Sequence, residues 1–197
     1  MRQVSKCLYT NGMVRPRLAS DDEIVERIAA HLASRQWPAA SWTLAEVAPA
    51  AGLSSAGLVK RFGSRAGLLL ALGRSWLAGI PVSPSGERPP AEELRAYAAA
   101  TFGMPSGAAA ALGLADLLAD LANGEAAAVL REGNARQRRY VAALIAALGL
   151  PRAGEPDRAA RALLDALHGG LVHRAVGDDE HALSPDALIN YFLELWT

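Results

Sequence analysis

Cysteine is nearly missing from this chain: Cys7 is the one thiol in 197 residues. An internal disulfide and a cysteine zinc cluster are thereby excluded, and a reducing interior is the matching compartment. No uninterrupted apolar run approaches the roughly 18 residues that a membrane span needs, so no membrane partner is expected. Met1–Ser20 holds Arg2, Lys6, Arg15 and Arg17 but no apolar stretch, which is not the pattern of a secretory leader. Together these features point to a cytoplasmic protein. Phosphate loops and dinucleotide fingerprints are also missing. The four histidines are His31, His168, His173 and His181. His168 and His173 are five residues apart and so do not share a helical face as a metal pair would. Ser184-Pro185-Asp186 reads as a helix cap with proline in the first turn, not as a nucleophile. No enzyme activity, metal or cofactor is expected.

What is present is 51 % hydrophobic and 20 % charged, a globular composition. The net charge is zero, but residues 1–75 carry ten basic against five acidic side chains, and the remainder ten against fifteen. A basic first third joined to an acidic remainder suggests two tasks, the first facing an anion.

Helical signals run the length of the chain. Ser20 and Glu23 form a capping box ahead of Ile24, Val25, Ile28 and Leu32, which predicts a first helix over about residues 21–34, closed by Gln36-Trp37-Pro38. Thr43 and Glu46 form a second box, and Gly52 closes that short helix. Pro49 lies inside it, at a cost of roughly 3 kcal/mol unless the helix bends. Ser54 caps a third helix that Gly63 ends, and Ser64 caps a fourth with Leu68, Leu69, Leu72 and Trp76 facing inward. The four prolines of residues 81–90 read as a linker or surface loop. Further helices are predicted near 91–103, 106–122, 125–148, 157–176 and 185–196. There is no strand alternation and no repeat, so the fold class is all-α with about nine helices.

Residues 43–62 place two short capped helices around Ala51-Gly52-Leu53-Ser54, a helix-turn-helix spacing. Val47, Ala48, Leu53, Leu58 and Phe62 would fix the angle. The opposite face of the second helix offers Ser55, Ala56, Gly57, Val59, Lys60 and Arg61. Small residues permit close approach to DNA, and the two cations suit phosphate or guanine. On spacing alone, an ordinary helical hairpin with two surface cations fits equally well.

The run from Thr43 to Leu69 resembles the DNA-binding signature of the tetracycline-repressor (TetR) family at Thr43, Val47, Ala48, Ala51, Gly52, Leu53, Ser54, Leu58, Phe62, Gly63, Ser64, Leu68 and Leu69. The resemblance covers about residues 20–76. It implies that Thr43 caps its helix and touches phosphate, that Ser54, Ser55, Ala56 and Gly57 meet base edges, that Val59, Lys60 and Arg61 lie along the groove, and that Arg65 anchors a phosphate at a helix start. The sequence departs from the family where Ser55 replaces a usual Lys, Gly57 a Thr, and Val59 an aromatic residue.

Three segments follow from this reading: a basic arm over 1–19, a DNA-binding domain over 20–76 whose fourth helix leads onward, and an effector-binding and dimerisation domain over 77–197. The expected partners are double-stranded DNA with a palindromic operator, a mostly apolar small-molecule effector, and a second copy of the chain. Candidate cavity residues are Trp76, Tyr97, Phe102, Met104, Leu118, Tyr140, Ile145 and His168. Arg136, Arg138 and Arg139 are expected on the solvated surface. The resemblance implies that the last two helices pair with their copies, through Leu163, Leu167, Gly170, Leu171, Leu188, Ile189, Phe192 and Trp196. A dimer is also what operator selectivity asks for, since one short helix reads only a few base pairs. The competing expectations are a helical dimeric interaction or ligand-sensing module without specific DNA binding, and a small all-α catalyst using His168 or His173.

Overall fold

The computed structural model describes residues 19–34, 42–122, 124–177 and 183–197, the side chains at 116, 119 and 120 excepted. The basic arm up to residue 18, the stop at Gln36-Trp37-Pro38, and His181 lie outside the described residues. Among those described there are nine helices and no strand. They are α1 (Asp21–Ala33), α2 (Leu44–Ala51), α3 (Ser55–Phe62), α4 (Arg65–Gly79), α5 (Pro90–Phe102), α6 (Gly107–Leu121), α7 (Gly124–Leu148), α8 (Pro156–Ala175) and α9 (Pro185–Trp196). The protein is all-α, and its helix limits fall within about two residues of those read from caps and periodicity.

The caps work as their residue types require. Ser20 Oγ accepts from the Glu23 amide at 3.2 Å while Glu23 accepts from the Ser20 amide at 2.7 Å. Thr43 and Glu46 do the same for α2. Ser54, Ser64 and Ser184 each accept from the amide three residues on. Gly52 ends α2 in the left-handed region at φ 65°, where its lack of a Cβ removes the steric cost. The helix continues through Pro49, which is exposed. The missing amide would have served Ala45, an exposed residue whose carbonyl water can reach.

Two apolar cores organise the chain. In the first, Ile24, Val25 and Ile28 of α1 meet Trp42, Val47, Ala48 and Ala51, with Leu58 of α3 and Leu68 of α4. In the second, Leu94, Ala98 and Phe102 of α5 meet Tyr140, Val141, Leu144 and Ile145 of α7, the α8 row Ala159 to Leu167, and Ile189 and Trp196 of α9. Each fully buried leucine or isoleucine contributes about 1.5–3 kcal/mol, so these rows decide the packing. Helix α4 joins the cores, packing on α1 and α3 through residues such as Leu68 and Leu72 and meeting α7 at Gly73, Trp76 and Leu77.

The proline-rich segment is held in place. Glu93, nearly buried on α5, accepts from the Ser85 amide at 2.9 Å, the Ser85 hydroxyl at 2.8 Å and the Tyr140 hydroxyl at 2.8 Å. The Ser85 amide and then the Tyr140 hydroxyl hold its carboxyl below the ordinary range. Burial, then the hydrogen bond to Glu93 and lastly the Glu93 charge, push the Tyr140 phenol up. An ionised acceptor and a protonated donor therefore fasten the loop to α5 and α7.

Candidate functional site

Helix α3 stands on the first core by its inner side alone. Leu58 is fully buried and Leu53 and Phe62 pack beside it, while Ala56 and Lys60 are exposed and Val59 is 43 % exposed. Ser55 and Gly57 are half-buried, and a Cβ on Gly57 would turn toward Ser54 and Leu53. An eight-residue helix with a capped start and an outward row of small, polar and cationic residues has the dimensions to enter a major groove. Thr43 is exposed at the start of α2; its hydroxyl oxygen serves the cap, and its hydrogen remains able to donate outward.

The two arginines assigned to DNA are committed within the chain. Arg61 Nη1 donates to the Ala19 carbonyl at 2.6 Å and pairs with Asp21 at 3.2 Å, tying the end of α3 to the start of α1. Arg65 Nε donates to the Trp42 carbonyl at 2.8 Å, and its guanidinium lies 4.3 Å above the Trp42 ring. Arg65 Nη2 is buried with no hydrogen-bond partner among the described residues. Both side chains brace the helix-turn-helix, since a guanidinium stacks and forks in a way that suits such joints. Lys60 is the exposed cation of α3.

Gly67 was missed by the sequence reading and sets the α3–α4 angle. A Cβ there would stand 1.9 Å from the Phe62 carbonyl oxygen, so only glycine permits this approach. The signal was the glycine in the first turn of a helix with no other reason for one.

A cavity of about 690 Å³ lies between the two cores. Ala29 and Leu32 of α1 and the edge of Trp42 bound it on the first-core side, and Leu69, Leu72, Gly73 and Trp76 of α4 form one wall. Helix α6 adds Leu114 and Leu117, and α7 adds Leu130, Asn134, Gln137 and Arg138. Thr101, Phe102 and Met104 close the α5 side, and Arg161, Asp165, His168 and Leu171 the α8 side. The volume is in the range that holds a drug-sized molecule.

Of the eight residues expected here, Trp76, Phe102, Met104 and His168 line the cavity, and four do not. Tyr140 and Ile145 belong to the second core, at 2 % and 1 % exposure, and Tyr140 spends its hydroxyl on Glu93. Leu118 points to solvent at 67 % exposure, because the α6 face turned to the cavity is that of Leu114 and Leu117. Tyr97 packs edge-on against Tyr140, at 4.9 Å between ring centres, outside the lining.

Three features of α7 were not foreseen. Gln137, 2 % exposed, presents a buried amide at the wall. Arg138 also lines the cavity and pairs with Asp157 at 2.8 Å, while Arg136 donates to the Leu77 carbonyl at 3.3 Å. The expected solvated cluster therefore keeps only Arg139 fully at the surface. Gly133 seats the Trp76 ring, whose Cζ3 would lie 2.0 Å from an added Cβ. A polar residue or glycine on the inward period of a long helix was the available signal.

The stripes expected to face a second subunit divide. Leu163, Leu167, Ile189 and Trp196 are buried in the chain's own second core and have no surface left for a partner. Gly170, Leu188 and Phe192 are half-buried, and Leu171 lines the cavity. The outward apolar residues are instead Val172 on α8 and Tyr191 and Leu195 on α9, at 48, 56 and 53 % exposure. An amphipathic stripe shows that a face is buried, not against which chain.

No single described helix is long and apolar enough to cross a membrane. No protein-family model matches this chain, and no curated protein matches it.

Proposed function

We propose that the chain is a cytoplasmic, homodimeric, DNA-binding transcriptional regulator of the TetR type, a repressor released from a palindromic operator by a small molecule. It carries out no catalysis and needs no cofactor in this reading. The observation that carries the proposal is the capped, outward-standing α3 joined through α4 to a wall of a large cavity. Ser54, Ser55, Ala56, Gly57 and Val59 approach base edges, and Lys60 and the Thr43 hydroxyl meet phosphates. Arg61 and Arg65 support them by fixing α3 and α4 rather than by touching DNA first.

Two copies related by a two-fold axis place their α3 helices about 34–36 Å apart, in successive major grooves. The exposed Val172, Tyr191 and Leu195 supply the face between copies, with Gly170, Leu188 and Phe192 at its margin. An effector in the cavity touches α4 and Trp42 together. It shifts the separation of the reading heads only as far as its affinities for the two states differ.

Selection of duplexes from a random pool by the purified protein, followed by titration in increasing salt, tests the proposal. The expected result is a palindromic consensus and a steep salt slope. A second reading, a dimeric sensing module without DNA affinity, draws support from the internal engagement of Arg61 and Arg65. It predicts dimers that bind no duplex even at low salt.

A further inference from the structure

The cavity's polar groups divide by position. Two neutral groups stand at the wall: the buried Gln137 amide on α7 and the half-buried Thr101 on α5. The Tyr97 hydroxyl is buried close to these two side chains. The charged groups are compensated or exposed. Arg138 is neutralised by Asp157 at 2.8 Å, and Arg161 and Asp165, of opposite sign one turn apart on α8, are both exposed. His168 Nδ1 lies 2.8 Å from the Leu164 carbonyl oxygen. A carbonyl has no hydrogen to give, so Nδ1 carries one, and the neutral tautomer compatible with this bond has Nε2 as an acceptor.

From this arrangement we propose that the cavity takes an uncharged amphiphile whose head both donates and accepts hydrogen bonds, a primary amide or an alcohol on an apolar body. The inference rests on the effector reading above and names the class of effector. The head docks at Gln137 and Thr101, with His168 Nε2 as the acceptor for its hydrogen. The body lies along Leu32, Leu69 and Leu72 toward Trp42. An organic anion would exchange its hydration for an amide, a hydroxyl and a lone pair, with no uncompensated cation enclosed, and an ammonium would find no uncompensated enclosed carboxylate.

The test uses the full-length protein at pH 8 with a matched ten-carbon series: decanamide, decan-1-ol, decanoate and decylammonium. Binding is read by calorimetry and by the fluorescence change of the protein, since Trp42 and Trp76 both border the cavity. Decanamide and decan-1-ol are expected to bind about tenfold or more tighter than the two ions, the margin of a satisfied over an unsatisfied buried group. Gln137→Leu and Thr101→Val are each expected to weaken decanamide by about tenfold while keeping the thermal unfolding transition. Equal or tighter binding of either ion, no binding by any member of the series, or unchanged decanamide affinity in both folded variants overturns the proposal. DNA selection on ligand-free protein runs alongside. Ligand discrimination without DNA binding removes the regulator reading and leaves the cavity assignment, and DNA binding with preference for an ion does the reverse.

Discussion

Gly133 and Gly73 face each other's helices across the α4–α7 contact, and substituting each with alanine gives opposite results for a reason set by one ring. A Cβ at Gly133 would stand 2.0 Å from Trp76 Cζ3 and 2.2 Å from Cη2. Carbon atoms rest about 3.5–4.0 Å apart, so the ring must retreat by roughly 1.5 Å or swing out. Trp76 is 36 % exposed, which gives it a route to solvent. A tryptophan buries about 150–250 Å², and losing half of that at ~25 cal/mol per Å² costs roughly 2–3 kcal/mol. Alanine returns up to about 1 kcal/mol of helix propensity, leaving Gly133→Ala destabilised by roughly 1–2 kcal/mol. At Gly73 the new Cβ meets only Val129 Cγ1 at 3.6 Å, ordinary contact. Gly73→Ala should therefore gain about 0.5–1 kcal/mol. Urea denaturation followed by circular dichroism measures both, and the tryptophan emission of Gly133→Ala should shift to the red. If the two variants have equal midpoints and equal emission, the Trp76 ring is not seated on Gly133 and does not form that part of the cavity wall.

Further outcomes follow from the geometry taken together with the proposed function. Lys60→Ala should weaken duplex binding and lower the salt slope by about one phosphate's worth; an unchanged slope removes Lys60 from the backbone contact. Tyr191→Glu should shift sedimentation from dimer to monomer with the helix content intact, and a persistent dimer would place the interface elsewhere. Gly67→Ala should lose stability and abolish DNA binding together, because the 1.9 Å approach to the Phe62 carbonyl cannot be relieved without turning α4 against α3; full binding by this variant refutes that account. For Glu93, whose carboxyl titrates below its ordinary 4.5, the linked stability is complete above that pH and fades as pH falls through the lowered folded value. For Tyr140, raised above its ordinary 10.0, stability is complete below pH 10 and fades as pH rises beyond it. Tyr140→Phe should flatten the alkaline limb of a chemical-denaturation profile, and an unaltered limb would contradict the assigned hydrogen bond.

Local chemistry made the helices legible. Ser20, Thr43, Ser54, Ser64 and Ser184 announce helix starts through short-range hydrogen bonds, and Gly52 and Gly63 announce ends through positive φ, while α5 and α8 begin at prolines with no side-chain cap and were read from proline placement and periodicity. The outward row of α3 was legible for the same reason, because Leu58 and Phe62 fix which side faces in. Tertiary structure alone decided the rest. Whether Leu163 and Ile189 bury against their own chain or a second one, whether Arg61 and Arg65 reach outward or fold back on carbonyls at 2.6 and 2.8 Å, and whether Tyr140 or Gln137 borders the cavity all depend on how helices distant in sequence pack. Periodicity gives the side of a helix that avoids water; only the neighbouring helix determines what takes the water's place.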